Sequence, residues 1–468
     1  MTYKTIQANI VGSSNPSRSK AFAQERTLNM YAEVSQTGAY PSVLYPWLGS
    51  VSYSDGTGLG EARGCYTHSD GTFYKVTDTT LYSMASDGSE TAIGSIPGSG
   101  YVVMADDGNN LLLATTTAAY QYNGSTLTQI TDPDYEAGGS VDVILNQAVW
   151  QGNNQRFAVA TAGDPDDIAS DFYATAEAKG DDLVRVYVFN ETLYLMGSQT
   201  MEPWYYSGSG SPPFDRIQAG TKNVGLIGRL AIDSNDNFMY WVGEDKNLYR
   251  ASAYDPAPLM PASIHKEFTT YDLTSCRVRC LTFDGQNFVM ILTDSKSWVY
   301  SETTGAWLEL SYKADEQIYL AYDYAYAYNK HFIMSRIDSR ILELDQSVYT
   351  DNGEITIRER VTAPINAATL GINGARLTMK RAELIMESGI GNASQSDPLV
   401  MMSHSVDFGQ TWSNEVWIRA GRDGENNLRV EYYAMASFRQ IQFKIRTSDP
   451  NFFTFQSLAL DVKRGGNY

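Results

Sequence analysis

Three cysteines in 468 residues, Cys65, Cys276 and Cys280, leave an odd number and no disulfide framework, as suits folding in a reducing cytoplasm. Cys276 and Cys280 fall in an apparent strand, where residues four apart stand roughly 13 Å from each other, too far to share an ion or a disulfide. Only four histidines occur, His68, His265, His331 and His404, scattered without zinc-ligand spacing, so neither a metal site nor a His-centred triad is expected. No run of about 18 apolar residues appears, and Met1 to Gln7 has no apolar signal core, so no membrane anchor is expected. Basic charge is short as well. Lys and Arg number 35 against 54 Asp and Glu, a formal net charge of -19 that disfavours a general grip on nucleic acid or anionic lipid. Nucleotide and hydrolase motifs are missing: Gly56-Thr57-Gly58-Leu59-Gly60 lacks dinucleotide-loop spacing, and neither a phosphate-binding loop nor a nucleophile elbow is present. No cofactor is implied.

What is abundant points to strands. With 32 Tyr, 38 Gly, 43% hydrophobic and 12% aromatic residues, the composition predicts an all-β fold of pleated strands and tight turns. The centre of the chain repeats: a polar turn, an apolar-aromatic strand, a second turn, a second aromatic strand. Asp70-Gly71 leads to Phe73-Tyr74-Lys75-Val76 and Leu81-Tyr82, and Asp107-Gly108 to Leu111-Leu112-Leu113 and Tyr120-Gln121-Tyr122. Further units start near Asn153-Asn154, Asn190-Glu191, Asn235-Asp236, Asp284-Gly285 and Asn329-Lys330, at a mean spacing of about 43 residues, the period of propeller blades. Such a hairpin cannot bury its apolar face alone, so a β-propeller of six or seven blades is predicted over residues 55–350. The third unit is the weakest, interrupted by Gly163-Asp164-Pro165-Asp166-Asp167, whose acids lack the pattern of a calcium loop.

Beyond Asp345 the repeat stops, and alternation such as Ile441, Phe443 and Ile445 against Gln442, Lys444 and Arg446 predicts a β-sandwich over 351–468. Residues 1–54 read as an extended arm packing on the propeller or on a neighbour. Ser405-Val406-Asp407-Phe408-Gly409-Gln410-Thr411-Trp412 matches the S-x-D-x-G-x-T-W Asp-box of sialidases and related β-proteins. Ser405, Asp407, Gly409, Thr411 and Trp412 are expected to build a turn, with the carboxylate binding backbone N–H groups and the indole anchored in a core. Tyr322, Tyr324, Tyr326 and Tyr328 alternate along one strand and form a ladder for packing, with subunit contact or sugar binding as alternatives.

Short collinear segments carry a resemblance. Arg26-Thr27-Leu28-Asn29-Met30-Tyr31, Tyr45-Pro46-Trp47-Leu48-Gly49, Ala62-Arg63-Gly64, Gly197 to Tyr205 with Pro213-Phe214, Ala262-Ser263-Ile264-His265, Trp298-Val299-Tyr300 and Phe443-Lys444-Ile445-Arg446 resemble the tail-hub, or nozzle, proteins of short-tailed bacteriophages, also called packaged-DNA stabilisation proteins. Pro46-Trp47 stands where that family usually has Pro-Gly, and His265 where an acid is usual. The resemblance implies a non-enzymatic virion tail protein, made in the bacterial host cytoplasm. It also implies a homohexameric ring below the portal-adaptor protein that continues the DNA channel and carries tail fibres or tailspikes and a tail needle or plug. DNA would be met only in transit, and an acidic wall would let it slide. The alternatives from the residues are a carbohydrate-binding propeller and a sialidase-like glycosidase, the latter needing arginines such as Arg185, Arg229, Arg279 and Arg336 to converge at the propeller centre.

Overall fold

The computed structural model describes residues 3–17, 24–35, 41–176, 180–370 and 376–465. Seven four-stranded antiparallel blades follow one another along the chain, six of them meanders of consecutive strands. Blade 1 is Ala62–Thr67, Phe73–Thr77, Thr80–Met84 and Glu90–Ser95; blades 2 to 7 start at Val103–Asp106, Val141–Ile144, Leu183–Phe189, Ile232–Ser234, Arg277–Phe283 and Ala321–Ala327. One short α-helix, Ala262–Phe268, sits among the described residues between blades 5 and 6. The hairpin turn after the first strand uses left-handed backbone in every blade but the fifth, whose turn is Asn235 to Phe238. Asn190 and Glu191, and Asp284 and Gly285, have positive φ at both turn positions, the two-residue geometry that matches strand twist. In blade 3 this turn is Leu145-Asn146, with φ of 49° and 62°. The third unit expected from Asn153 was therefore one hairpin late: Asn153-Asn154 links the second and third strands. The blade count is seven.

Neighbouring blades bury their faces against each other. Phe157 of blade 3 meets Trp204 of blade 4 edge-on at 5.4 Å, and Phe73 of blade 1 meets Phe332 of blade 7 at 5.7 Å. Each such side chain contributes about 1.5–3 kcal/mol by leaving water. The last blade has only three strands of its own, Ala321–Ala327, Lys330–Ser335 and Ile341–Asp345, and its fourth is Gly49–Ser52 from the N-terminal region, Ser50 opposite Leu344. The ring is thus closed by a strand distant in sequence.

The sandwich also borrows from the N-terminal region. One sheet runs Lys4–Asn9, Ser457–Arg464, Leu377–Ile385, Val430–Phe438, and the other carries Arg358–Val361, Gln440–Thr447, Leu399–Ser405 and Val416–Arg419. Between the faces lie Leu377, Met379, Leu384, Ile441, Phe443, Ile445, Phe455 and Leu460, all essentially without solvent contact. The second sheet does not stop at the sandwich. Gln24–Leu28 pairs antiparallel with Arg358–Val361 and meets the outer strand of blade 6, Trp307–Tyr312, at the parallel bridge Leu28–Glu309. One sheet therefore runs from propeller into sandwich.

Residues around that seam explain why the chain crosses there. Asn29, at φ 52°, donates its amide to Ile357 O (2.8 Å) and Ser311 Oγ (3.1 Å) and accepts Ser311 N–H (2.9 Å), stitching blade 6 to the sandwich. The Arg26 guanidinium reaches Glu309 of blade 6 at 2.9 Å and Glu359 of the sandwich at 3.2 Å. Arg360, buried, donates to Ile10 O at 2.5 Å, to Thr27 Oγ1 at 3.0 Å and to the Glu25 carboxylate at 2.5 Å. The segment expected as an arm is woven into both domains, not laid over them.

Closure leaves no room at Gly49. A Cβ there would meet Val348 O at 2.2 Å and Thr350 O at 2.6 Å, both backbone atoms. Gly49→Ala should destabilise the chain by about 2 kcal/mol or more. Gly71→Ala, at φ +89° in an open turn, should cost only about 1 kcal/mol. Urea unfolding of both variants checks the order, and equal midpoints would contradict a tight closing strand.

Candidate functional site

The first strands of the seven blades surround a central cavity of about 400 Å³, lined by charged and aromatic groups such as Asp142, Arg185, Tyr187, Asp233, Arg279 and Asp323. A repeated device builds its wall. Asp142 of blade 3 accepts Val188 N–H of blade 4 at 2.7 Å, and Asp233 of blade 5 accepts Cys280 N–H of blade 6 at 2.8 Å. Asp323 of blade 7 accepts Cys65 N–H of blade 1 at 3.2 Å. Each carboxylate satisfies an inner-strand N–H that has no neighbour strand on that side. Tyr187 OH to Ser234 Oγ and Tyr66 OH to Asp106 Oδ2, both 2.8 Å, tie further blades together.

Charges in this enclosure are matched unevenly. Arg279 holds Asp323 at 2.6 Å; burial works against its charge, but Asp323 and Asp233 outweigh it and raise its pKa. Arg185 donates to Arg229 O at 2.8 Å, and burial lowers its pKa against the pull of Tyr187 and Asp142. Burial raises Asp233, and it lifts Asp142 to about 6 in spite of the bond from Val188 and the charge of Arg185. Cys65 and Cys280 line the same cavity with thiol pKa values raised by burial, so both are poor nucleophiles.

The hairpins after the first strands all lie at one end of the ring and surround the mouth of this cavity. Their exposed tips carry Asp70, Glu191, Asp236 and Asp284. Lys330, beside the blade 7 hairpin at Tyr328-Asn329, is held by Glu343 at 2.6 Å. An acidic rim is the result.

The four tyrosines do not share one face of the strand, which corrects the expectation from alternation. A bulge between Ala321 and Asp323 takes Tyr322 out of phase, and its ring lies under the Arg277 guanidinium at 3.6 Å. Tyr324 is buried with its hydroxyl on His331 Nδ1 at 2.8 Å, and Tyr328 sits in the turn, donating to Met84 O at 2.5 Å across the blade 7 to blade 1 junction. Tyr326 alone is open, and with Tyr324 it lines the cavity.

The Asp-box forms the turn between sandwich strands Leu399–Ser405 and Val416–Arg419. Asp407 accepts Thr411 N–H at 2.9 Å and Thr411 Oγ1–H at 2.6 Å, Ser405 Oγ–H donates to Asp407 at 2.7 Å, and Gly409 has φ 72°. These bonds, that from the Thr411 hydroxyl foremost, lower the Asp407 pKa to about 2. Trp412 departs from the expectation: it is half-buried beneath the Lys444 ammonium at 4.5 Å, not set in a core.

Of the four arginines weighed for a glycosidase, Arg185 and Arg279 reach the cavity. Arg229 donates to Val184 O and Arg336 pairs with Asp294, and no glutamate lines the cavity among the described residues. Asp166 accepts Thr131 N–H from the loop that joins blades 2 and 3. Cys276 is buried in the core between blades 5 and 6. The blade-to-blade carboxylates were missed, although Asp142, Asp233 and Asp323 recur at matching places in their first strands.

The native state binds the Asp142 proton more tightly than the unfolded chain, whose value lies near 3.8, so ionising Asp142 destabilises the fold. Its contribution declines as pH rises from about 4 to about 6 and is level above. Asp142→Asn keeps an oxygen for Val188 N–H and removes the titration. Its stability relative to wild type should therefore improve over that window in urea titrations, and parallel curves would contradict the assignment.

No curated protein matches this sequence. Among solved structures, similarity extends to PorZ, a surface component of the type-IX secretion system of Porphyromonas gingivalis, at 12% identity and TM-score 0.36 over 63% of this chain and 39% of that one. It also extends to the Pan2 WD40 domain of Neurospora crassa (9%, TM-score 0.41, 64% and 95%). The third is the extracellular domain of the hybrid two-component protein BT4673 of B. thetaiotaomicron (11%, TM-score 0.45, 76% and 45%). The chain spans less than half the length of the first and third. A family model described as the β-propeller of bacteriophage P22 Gp10 matches residues 6–349, and one described as its β-sandwich matches 365–463. With both domains matched in order, the chain belongs to the bacteriophage P22 Gp10 family, the structural tail proteins of short-tailed phages.

Proposed function

We propose that this tail protein is the hub, or nozzle, of the virion: a homohexameric ring beneath the portal-adaptor protein that continues the DNA channel, retains packaged DNA and anchors fibres or tailspikes and a plug. The observation that carries the reading is the division of charge across one continuous sheet. Residues 351–468 hold 13 Lys and Arg and 13 Asp and Glu, so the whole net charge of -19 resides in residues 1–350. The acidic rim of hairpins concentrates part of it on one end of the propeller. A wall of that sign repels phosphate and lets DNA pass without being held. The seam through Gln24–Leu28 makes propeller and sandwich a stiff unit, as a load-carrying joint needs.

Quantitative mass spectrometry of purified particles, intact and after tail removal, tests the placement. About six copies per particle, lost with the tail, are expected; absence from particles would overturn the hub. The channel role has its own test. Replacing Asp70, Glu191, Asp236 and Asp284 by lysine should leave copy number unchanged and slow DNA release about tenfold at low salt, with recovery as salt screens the contacts. Unchanged release would remove these hairpins from the channel wall.

A further inference from the structure

The strand that closes the propeller is gripped along both edges. Blade 7 holds Gly49–Ser52 on one side, with Ser52 opposite Leu342 and Gly49 opposite Asp345. On the other runs the connector to the sandwich: Gly49 N–H donates to Val348 O at 3.1 Å, Ser50 N–H to Thr350 O at 2.8 Å, and Asn352 N–H to Ser50 O at 2.8 Å. Ser50 and Asp351 form a parallel bridge there, and the Ser50 hydroxyl donates to Asp351 Oδ1 at 3.1 Å while accepting Asn352 N–H at 3.1 Å. One carboxyl thus sits where closing strand, connector and sandwich meet.

The surroundings of that carboxyl suit its neutral form. Asp351 is 5% exposed and Ser50 1%. Arg358, from the first strand of the sandwich, lines the same space but spends its guanidinium on Tyr349 O at 2.6 Å and Asp449 O at 3.4 Å, and no described residue makes an ion pair with Asp351. The space left between Asn29, Trp47, Asp351 and Arg358 is about 10 Å³, room for one water at most, so a charge on Asp351 cannot be properly hydrated while the strand is seated. Ionising a carboxyl held this way costs free energy that opening the strand to water recovers.

We propose that Asp351 is a pH-sensitive latch on the propeller ring: neutral, it keeps Gly49–Ser52 seated between blade 7 and the connector, and ionised, it loosens that strand. The latch is independent of the hub reading. Burial raises the Asp351 pKa to about 7, against the Ser50 bond and the charge of Arg358. The unfolded value lies near 3.8, so the closed form binds the proton more tightly. The latch is therefore firmest in acid, weakens as pH rises from about 4 to about 7 and is level above. Three other groups around the carboxyl keep one form over that range. Burial lowers Arg358 to about 10, which leaves it charged, burial and the Asp351 charge raise the Tyr319 phenol, and burial with Glu354 and Asp351 raises Tyr312. Glu354, bridged to Asp351 through the backbone, pairs with Lys313 at 3.5 Å.

Hydrogen exchange of the full chain, followed by mass spectrometry and corrected for the intrinsic effect of pH, reads the strand directly. Protection at Gly49–Ser52 should fall on the order of tenfold from about pH 5 to about pH 8, while protection at Leu111–Ala114 in blade 2 holds. Asp351→Asn keeps an oxygen for the Ser50 hydroxyl and cannot ionise, so its protection at Gly49–Ser52 should stay level. Ser50→Ala removes the bond that favours the charged carboxylate, so the fall should move to higher pH. A wild-type strand whose protection ignores pH, or an equal fall in Asp351→Asn, would overturn the proposal. Where Asp351→Asn does not fold, Ser50→Ala decides: an unshifted fall removes Asp351 as the titrating group.

Discussion

Closure of the propeller ring is the constraint on which the rest depends. Six blades draw their four strands from consecutive stretches of chain, but blade 7 lacks an outer strand until Gly49–Ser52 arrives, with Ser52 set opposite Leu342. The same N-terminal region must also pair Lys4–Asn9 with Ser457–Arg464 and Gln24–Leu28 with Arg358–Val361. Three pairings of very long sequence separation therefore come from about 50 consecutive residues. Each pairing carries a loop-closure cost, and topologies rich in such non-local contacts belong to the slow-folding class. Once formed, each pairing supports the others, because none can open without exposing buried apolar surface at the other two.

Charge at the seam has a structural task distinct from charge on the rim. Burial lowers the Arg360 pKa even with Glu25 beside it, which means the desolvation cost outweighs the ion pair. What compensates is the set of carbonyl and hydroxyl acceptors from Ile10, Ser13 and Thr27, which a lysine could not satisfy with one ammonium. Arg26 is the opposite case: burial opposes its charge, yet Glu309, Glu316 and Glu359 together raise its pKa. It is bound to propeller and sandwich at once, so the ion network reports whether the two domains are correctly joined.

Much of the architecture was legible because blades repeat. The period of aromatic strands led to the propeller, and the switch to alternation after Asp345 led to the sandwich. Phase was lost in blade 3, since its turn is Leu145-Asn146 and an exposed leucine at positive φ carries none of the Asx-Gly signal. The role of the N-terminal region was hidden for a different reason: three of its strands, Lys4–Asn9, Gln24–Leu28 and Gly49–Ser52, are short and find partners hundreds of residues away, so no local pattern marks them. Yet Arg26 to Tyr31 stood out as a family segment, and its structural meaning is now plain. Arg26 and Asn29 join the domains, Leu28 bridges the sheets, and Tyr31 packs on Trp47, Phe283 and Phe288. The tyrosine alternation misled because one bulge residue shifts Tyr322 out of register, a detail set by the tertiary ring.

The two domains differ in charge and are joined by one sheet. All of the net negative charge lies in residues 1–350, whereas residues 351–468 are balanced, and the continuous sheet through Gln24–Leu28 fixes the two parts to each other. The central cavity fits this division. Its carboxylates are spent on neighbouring backbone N–H groups and on Arg279, which rigidifies the ring from inside. Stiffened from within and joined by one sheet to a charge-balanced sandwich, the propeller holds its acidic hairpins in a fixed orientation.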